Sequence, residues 1–145
     1  MSEGYVTTNF KRHEFACKDG CGGKFYVSPE LAKVLQRLRE RVGTAIIITS
    51  GMRCKKHNAA SNGAKKSKHL LSKGVLLASD ITYADEKKRT PAGMMKLYIL
   101  ADKLLTDNLE DSRTGGLGLY PTWLHVDTRK ETGVRWTDQR WKFPE

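Results

Sequence analysis

No apolar run in the sequence approaches the length of a membrane span, so no transmembrane helix is expected. The first residues, MSEGYVTTNF, lack the basic stretch and apolar run of a secretory leader, and synthesis in the cytoplasm is the expectation. Cysteine is scarce and odd in number, with Cys17, Cys21 and Cys54 only, which argues against a disulfide framework. Acidic residues are too few to balance the basic ones, 16 against 26, leaving a net charge of +10. Such a surface attracts polyanions without choosing among them. No zinc-finger or aromatic RNA-binding signature accompanies the lysines and arginines, and nucleic acid is not the expected partner. Repeats, low-complexity tracts and linkers are also missing, so residues 1–145 are expected to form a single domain.

What is present is a sequence of well-marked elements. The stretch SPELAKVLQRLRERVG reads as a helix: Ser28 caps it, Pro29 opens it, and Gly43 stops it. Leu31, Val34, Leu35, Leu38 and Val42 form one apolar stripe on it. TAIIITS is a β-branched run of strand length, followed by a turn at SGMR. GVLLASDITY reads as a second, buried strand. TPAGMMKLYILADKLLTD is a second helix, with Met94, Leu97, Tyr98, Ala101 and Leu105 on one face. A glycine-rich piece, TGGLGLYP, leads into TWLHVDTR, a strand by alternation. The residues before about Tyr26 read as an irregular arm, and the tail ETGVRWTDQRWKFPE as a short cover for a core edge. The expected fold class is α+β, with helices packed on a small, mostly antiparallel sheet.

The alternation in TWLHVDTR places Leu124 and Val126 on the core face, and His125 and Asp127 together on an open face. A His and an Asp side by side suit metal or proton chemistry. Zinc catalysis needs about three protein ligands and an open position, and His69 and Asp80 could complete a His-Asp-His set with His125. Plainer roles are open to each: Asp127 could pair with Arg129, and Asp80 could cap the end of a buried strand. Cys17, Cys21, Cys54 and His57, spaced Cys-x3-Cys and Cys-x2-His, could hold a structural zinc if the fold joins them, or could be packed thiols.

The ordered series NFKRHEFAC…CGG, IIITSGMRCKKHN, SKH, ASDI and GGLGLYPTWLHVDTR resembles the zinc D-alanyl-D-alanine carboxypeptidases and related peptidoglycan endopeptidases. That group includes phage endolysins and, by fold, the Hedgehog signalling domain. The resemblance covers about Phe10 to Trp136. It implies that His69, Asp80 and His125 bind zinc as cofactor, and that Arg53 contacts the substrate carboxylate or backbone. Ser67 would bond near the substrate or orient the His69 loop. Two positions depart from the family pattern. His69 and Asp80 stand 11 positions apart (69 to 80), more than in the compact Ser-x-His-x-x-Gly-x-Ala-x-Asp form. If the extra residues bulge away, the ligands converge; if they shift the strand register, Asp80 faces the wrong side. The acid that many relatives carry three residues before the last His is Thr122 here, so Asp127 is the expected general base, or else a partner that orients a ligand His.

The leading expectation is therefore a monomeric zinc peptidase cutting peptidoglycan stem peptides, plausible as a phage lysis enzyme acting at the cell wall or periplasm. Its basic surface would help it adhere to an anionic envelope. The alternative is a non-catalytic wall-binding or virion structural relative with the same fold.

Overall fold

The computed structural model describes residues 4–18, 24–54, 58–59, 67–108 and 114–144, excepting the side chains of 107, 108, 114, 131 and 132. Helix α1 spans Pro29–Val42, with Ser28 Oγ accepting from the Leu31 amide at its start and Gly43 in the left-handed region at its end (φ 72°). Helix α2 spans Pro91–Asn108. Short 3-10 turns occupy Arg12–Phe15 and Glu86–Lys88.

Strands β1 (Tyr26–Val27) and β3 (Val75–Leu76) pair in parallel as a small ribbon. The main sheet contains β2 (Ile46–Ser50), β4 (Ala78–Tyr83), β5 (Thr114–Leu119), β6 (Leu124–Thr132) and β7 (Val134–Thr137), in the order β2-β4-β6-β5-β7. All pairings in it are antiparallel except β5 with β7. The α+β architecture expected from the sequence is the one found.

The helices pack on each other and on β5 and β6. Leu31, Leu35 and Leu38 of α1 and Met94, Leu97 and Leu104 of α2 share one core with Ile81, Leu117, Leu124 and Val126 of the sheet. Strand side chains alternate faces, so the residues between these apolar ones project from the opposite face. That opposite face carries Asp80, His125 and Asp127.

Four features differ from the sequence reading. The N-terminal arm, irregular among its described residues apart from the Arg12–Phe15 turn, is anchored: Phe10, Phe15 and Phe25 are buried in the core. GVLLASDITY is two strands, because Val75–Leu76 pairs with β1 while Ala78 onward joins the main sheet. TGGLGL is a strand, β5, and the tail adds a further strand, β7. Lastly, the residues that lengthen the His69–Asp80 segment form a tight turn. Ser72 and Val75 exchange both backbone hydrogen bonds, each 2.9 Å, around Lys73 (φ 51°) and Gly74 (φ 80°). Positive φ at both central residues is the type I′ signature.

Gly74 has nothing within 4 Å of where a Cβ would sit, so an alanine there suffers only the backbone strain. Gly74→Ala is expected to destabilise the fold by about 1 kcal/mol, read from urea unfolding midpoints at unchanged m-value.

Candidate metal centre

Asp80 and His125 face each other directly across the β4–β6 ladder. His69 reaches them from the loop that precedes β3, and backbone bonds fix that loop. Its carbonyl accepts from the Arg53 amide at 2.9 Å, and its amide donates to Ser67 Oγ at 3.2 Å. The three side chains meet at one point. His69 Nε2 lies 3.1 Å from Asp80 Oδ1 and 3.2 Å from His125 Nδ1, and His125 Nδ1 lies 3.1 Å from Asp80 Oδ1. All three residues are buried, at 2%, 8% and 8% exposure for His69, Asp80 and His125. Among the described residues this is the one group of three such donors that converges.

The outer hydrogen bonds decide what these atoms offer. The Gly51 carbonyl can only accept, so His69 Nδ1, 2.7 Å away, carries the hydrogen. Asp127 Oδ2, 2.8 Å from His125 Nε2, likewise takes a hydrogen from that nitrogen. In the neutral rings His69 Nε2 and His125 Nδ1 are then bare lone pairs, and Asp80 adds a carboxylate oxygen. Three acceptors face one another with no donor between them unless a cation enters. Two nitrogen or oxygen donors at 2.0–2.1 Å from a tetrahedral zinc stand about 3.3 Å apart, close to the separations found. The residues therefore fit a zinc-class ion.

Charge in the cluster points the same way. Burial works to raise the Asp80 pKa, but hydrogen bonds and charge from His125 and His69 outweigh it and hold the carboxyl well below the ordinary range. Burial works to lower the His125 pKa, but hydrogen bonds and charge from Asp127 and Asp80 outweigh it and raise it.

Asp127 is fully buried behind His125. Arg129 donates to both of its oxygens, Nε to Oδ1 at 2.8 Å and an Nη to Oδ2 at 2.6 Å. The strand face that the sequence reading left open is covered. Arg53 sits at the rim, its Nε 3.1 Å from Ser50 Oγ and one Nη 3.3 Å from Asp80 Oδ2.

Sequence reasoning missed what makes room for the centre. A Cβ on Gly116 would overlap the Asp127 carboxylate, and one on Gly118 would overlap the Trp136 ring. Trp136 covers Gly118 and lies 5.1 Å from the His125 ring, with its Nε1 donating to Tyr120 Oη at 3.1 Å. The signal was present in the alternation of GGLGL, with glycines toward the site and Leu117 and Leu119 toward the core. Cys21 and His57 lie outside the described residues.

The sequence matches the family described as Peptidase M15 over residues 8–127, most of the chain. The chain belongs to the peptidase M15 family. Its members are zinc peptidases, and the matched span contains Arg53, Ser67, His69, Asp80, His125 and Asp127. No curated protein and no solved structure matches the chain. No helix among the described residues of this M15 peptidase is long and apolar enough to cross a membrane.

Two outcomes follow for metal binding by the M15 centre. Because the His125 pKa is raised, a metal must displace a proton that persists to higher pH than on an ordinary imidazole. Apparent zinc affinity should fall by about tenfold per pH unit below that pKa while one proton is displaced per ion, measured by chelator competition across pH. Asp127→Asn removes the charge that holds the His125 tautomer and should weaken zinc affinity by about 10- to 100-fold in the same assay.

Proposed function

We propose that this chain is a single-domain, monomeric zinc peptidase that hydrolyses peptide bonds in peptidoglycan stem peptides. The observation that carries the proposal is the triangle of His69, Asp80 and His125 donor atoms, 3.1–3.2 Å apart with no hydrogen of their own to share. A zinc ion bound there would supply Lewis acidity, polarising a peptide carbonyl and acidifying water.

The chain's own residues do the rest. His69 and His125 present fixed lone pairs, and Asp80 supplies the negative charge. Ser67 stabilises the His69 loop through the amide bond to its Oγ, the second of the two roles expected for it. Arg53 uses Nε and one Nη within the protein, which leaves part of its fork for a carboxylate of the stem peptide. Asp127, expected from the sequence to be the base, is assigned instead to holding His125. Both its oxygens are occupied and it lies on the far side of that ring from the donor triangle. The net charge of +10 favours adhesion to an anionic envelope, consistent with a phage lysis enzyme. The non-catalytic alternative drew on the long His69–Asp80 spacing and on Thr122 standing where many relatives carry an acid; the Ser72–Val75 turn takes up the length, and no other acid is assigned as base in place of Asp127.

The test uses purified peptidoglycan and zinc analysis side by side. Wild-type protein should release soluble peptide fragments, and His69→Ala and His125→Ala should lose both that release and the zinc at this centre. Arg53→Ala should lower kcat/KM by about 10- to 100-fold, the scale of a hydrogen bond to a charged group, with Arg53→Lys recovering only part. Both histidine variants retaining metal and activity would overturn the reading.

A further inference from the structure

The row of side chains that carries His125 continues toward the β5–β6 turn. Trp123 and Tyr120 flank that turn and stack on each other, ring centroids 4.5 Å apart and planes 13° apart. The Tyr120 amide donates to the Trp123 carbonyl at 3.1 Å. Side chains two apart along a strand share a face, so Trp123 stands on the His125 side of the sheet. Trp136 joins the stack to the centre, with its ring 5.1 Å from that of His125 and its Nε1 donating to Tyr120 Oη. A phenol oxygen that accepts from Trp136 keeps its own hydrogen to give elsewhere.

Arg140 completes this wall. Its guanidinium lies over the Trp123 ring, 5.6 Å from the centroid. Asp138 fixes it there: Oδ1 accepts from the Arg140 amide at 2.9 Å and from Nε at 2.8 Å, and Oδ2 accepts from Nη2 at 3.4 Å. Hydrogen bonding and charge from Asp138 raise the Arg140 pKa, and Tyr120 adds to the rise, so the phenol oxygen lies near the guanidinium. Arg53, at the other rim of the centre, is held in the same manner, by Nε and Nη2. Among the described residues neither arginine's Nη1 has a partner. The Arg140 side chain is 63% exposed, so a ligand in solvent can reach it.

The sheet sets the distance between the two arginines. Arg53 binds Asp80 on β4, and Arg140 stands by the aromatic pair at the end of β5. Strand β6, which carries His125, runs between β4 and β5. Two strand spacings are about 10 Å, the length of about three extended residues.

We infer that Arg140, with the Tyr120 hydroxyl, forms a second carboxylate subsite across the metal centre from Arg53. The preferred substrate is then a stem peptide with two carboxylates about three residues apart, one on each side of the bond that is cut. Arg140 offers Nη1 and Tyr120 its hydroxyl hydrogen, while Trp123 gives the adjoining chain an apolar wall. The inference deepens the peptidase reading and rests on it for the substrate class.

The test uses synthetic stem peptides that carry both carboxylates, and versions in which one or the other is a carboxamide. Cleavage is followed as kcat/KM, and binding by tryptophan fluorescence, which Trp123 and Trp136 report whether or not a bond is cut. Wild type should lose about 10-fold in kcat/KM and in affinity for either replacement, the low end for a bond to a charged group because Arg140 is exposed and shared with Asp138. Arg140→Gln should become indifferent to one replacement and keep the penalty for the other, with the change in KM. Arg53→Gln should show the converse, and Arg140→Lys should recover part of the lost discrimination. An equal fluorescence response of wild type to the diacid and both monoamides, or no response to any, overturns the inference. Arg140→Gln that keeps both penalties overturns it as well. Discrimination that depends on Arg140 without cleavage sinks the peptidase reading and leaves the subsite standing; cleavage without that discrimination sinks the subsite alone.

Discussion

Three electron-pair acceptors held face to face at 3.1–3.2 Å are the constraint on which the rest of this structure depends. Left to themselves, two imidazole lone pairs and a carboxylate would turn apart. Each is prevented by a bond on its outer side. The Gly51 carbonyl holds His69, Asp127 holds His125, and Arg53 holds the second oxygen of Asp80. Asp127 is itself gripped by the fork of Arg129, which keeps it ionised although burial opposes that. A buried carboxylate needs such a partner. The cost of assembling the triangle is thus spread through an outer layer of bonds whose members belong to two stretches of chain, the loop after β2 with Gly51 and Arg53, and β6 with Asp127 and Arg129.

The sheet translates that constraint into sequence. One row of side chains crosses it from β2 to β7: Ser50, Asp80, His125, Gly118 and Trp136 are successive cross-strand partners. The next row carries Ala78, Asp127, Gly116 and Val134. Asp127 on β6 and Trp136 on β7 leave no room for side chains between them on β5, and glycine stands at both positions, Gly116 and Gly118. Trp136 then closes over Gly118 and shields one side of His125. The glycines of β5 serve packing, not flexibility. Gly115 differs, since its φ of 78° marks the bulge where β5 slips against β6.

How much of this was legible in the sequence follows from which forces leave a period. Helices α1 and α2 were readable because burial on one face repeats every turn, and Ser28 and Gly43 mark the two ends of α1 chemically. β2 and β6 were readable from β-branched composition and from alternation. β5 was hidden because glycine disfavours strands on average, and only its neighbours explain it. β7 pairs in parallel at an edge and is only four residues long with Arg135 in it, which masks it as a polar tail. The arm was hidden because Phe10, Phe15 and Phe25 anchor it singly. His69, Asp80 and His125 were legible as a set by resemblance, whereas Gly51 was not, since it acts through its carbonyl.

The spacing between His69 and Asp80 posed a choice between a harmless bulge and a fatal register shift. Register is not set by that segment. Ile81 opposite Leu124 and Ser79 opposite Val126 fix β4 on β6, and a one-residue slip would turn Ile81 out of the core and drive Asp80 against the helices. Burial of Ile81, Leu124 and Val126 therefore places Asp80 beside His125 whatever length of chain precedes it. His69 is located independently, by Gly51 and the Arg53 amide. The segment between His69 and Asp80 has only to close, and closure cost rises slowly with length. A two-residue turn at Lys73-Gly74 and a short pairing with β1 suffice. The spacing of His69 and Asp80 is a property of the loop, while the placement of Asp80 beside His125 is a property of the sheet.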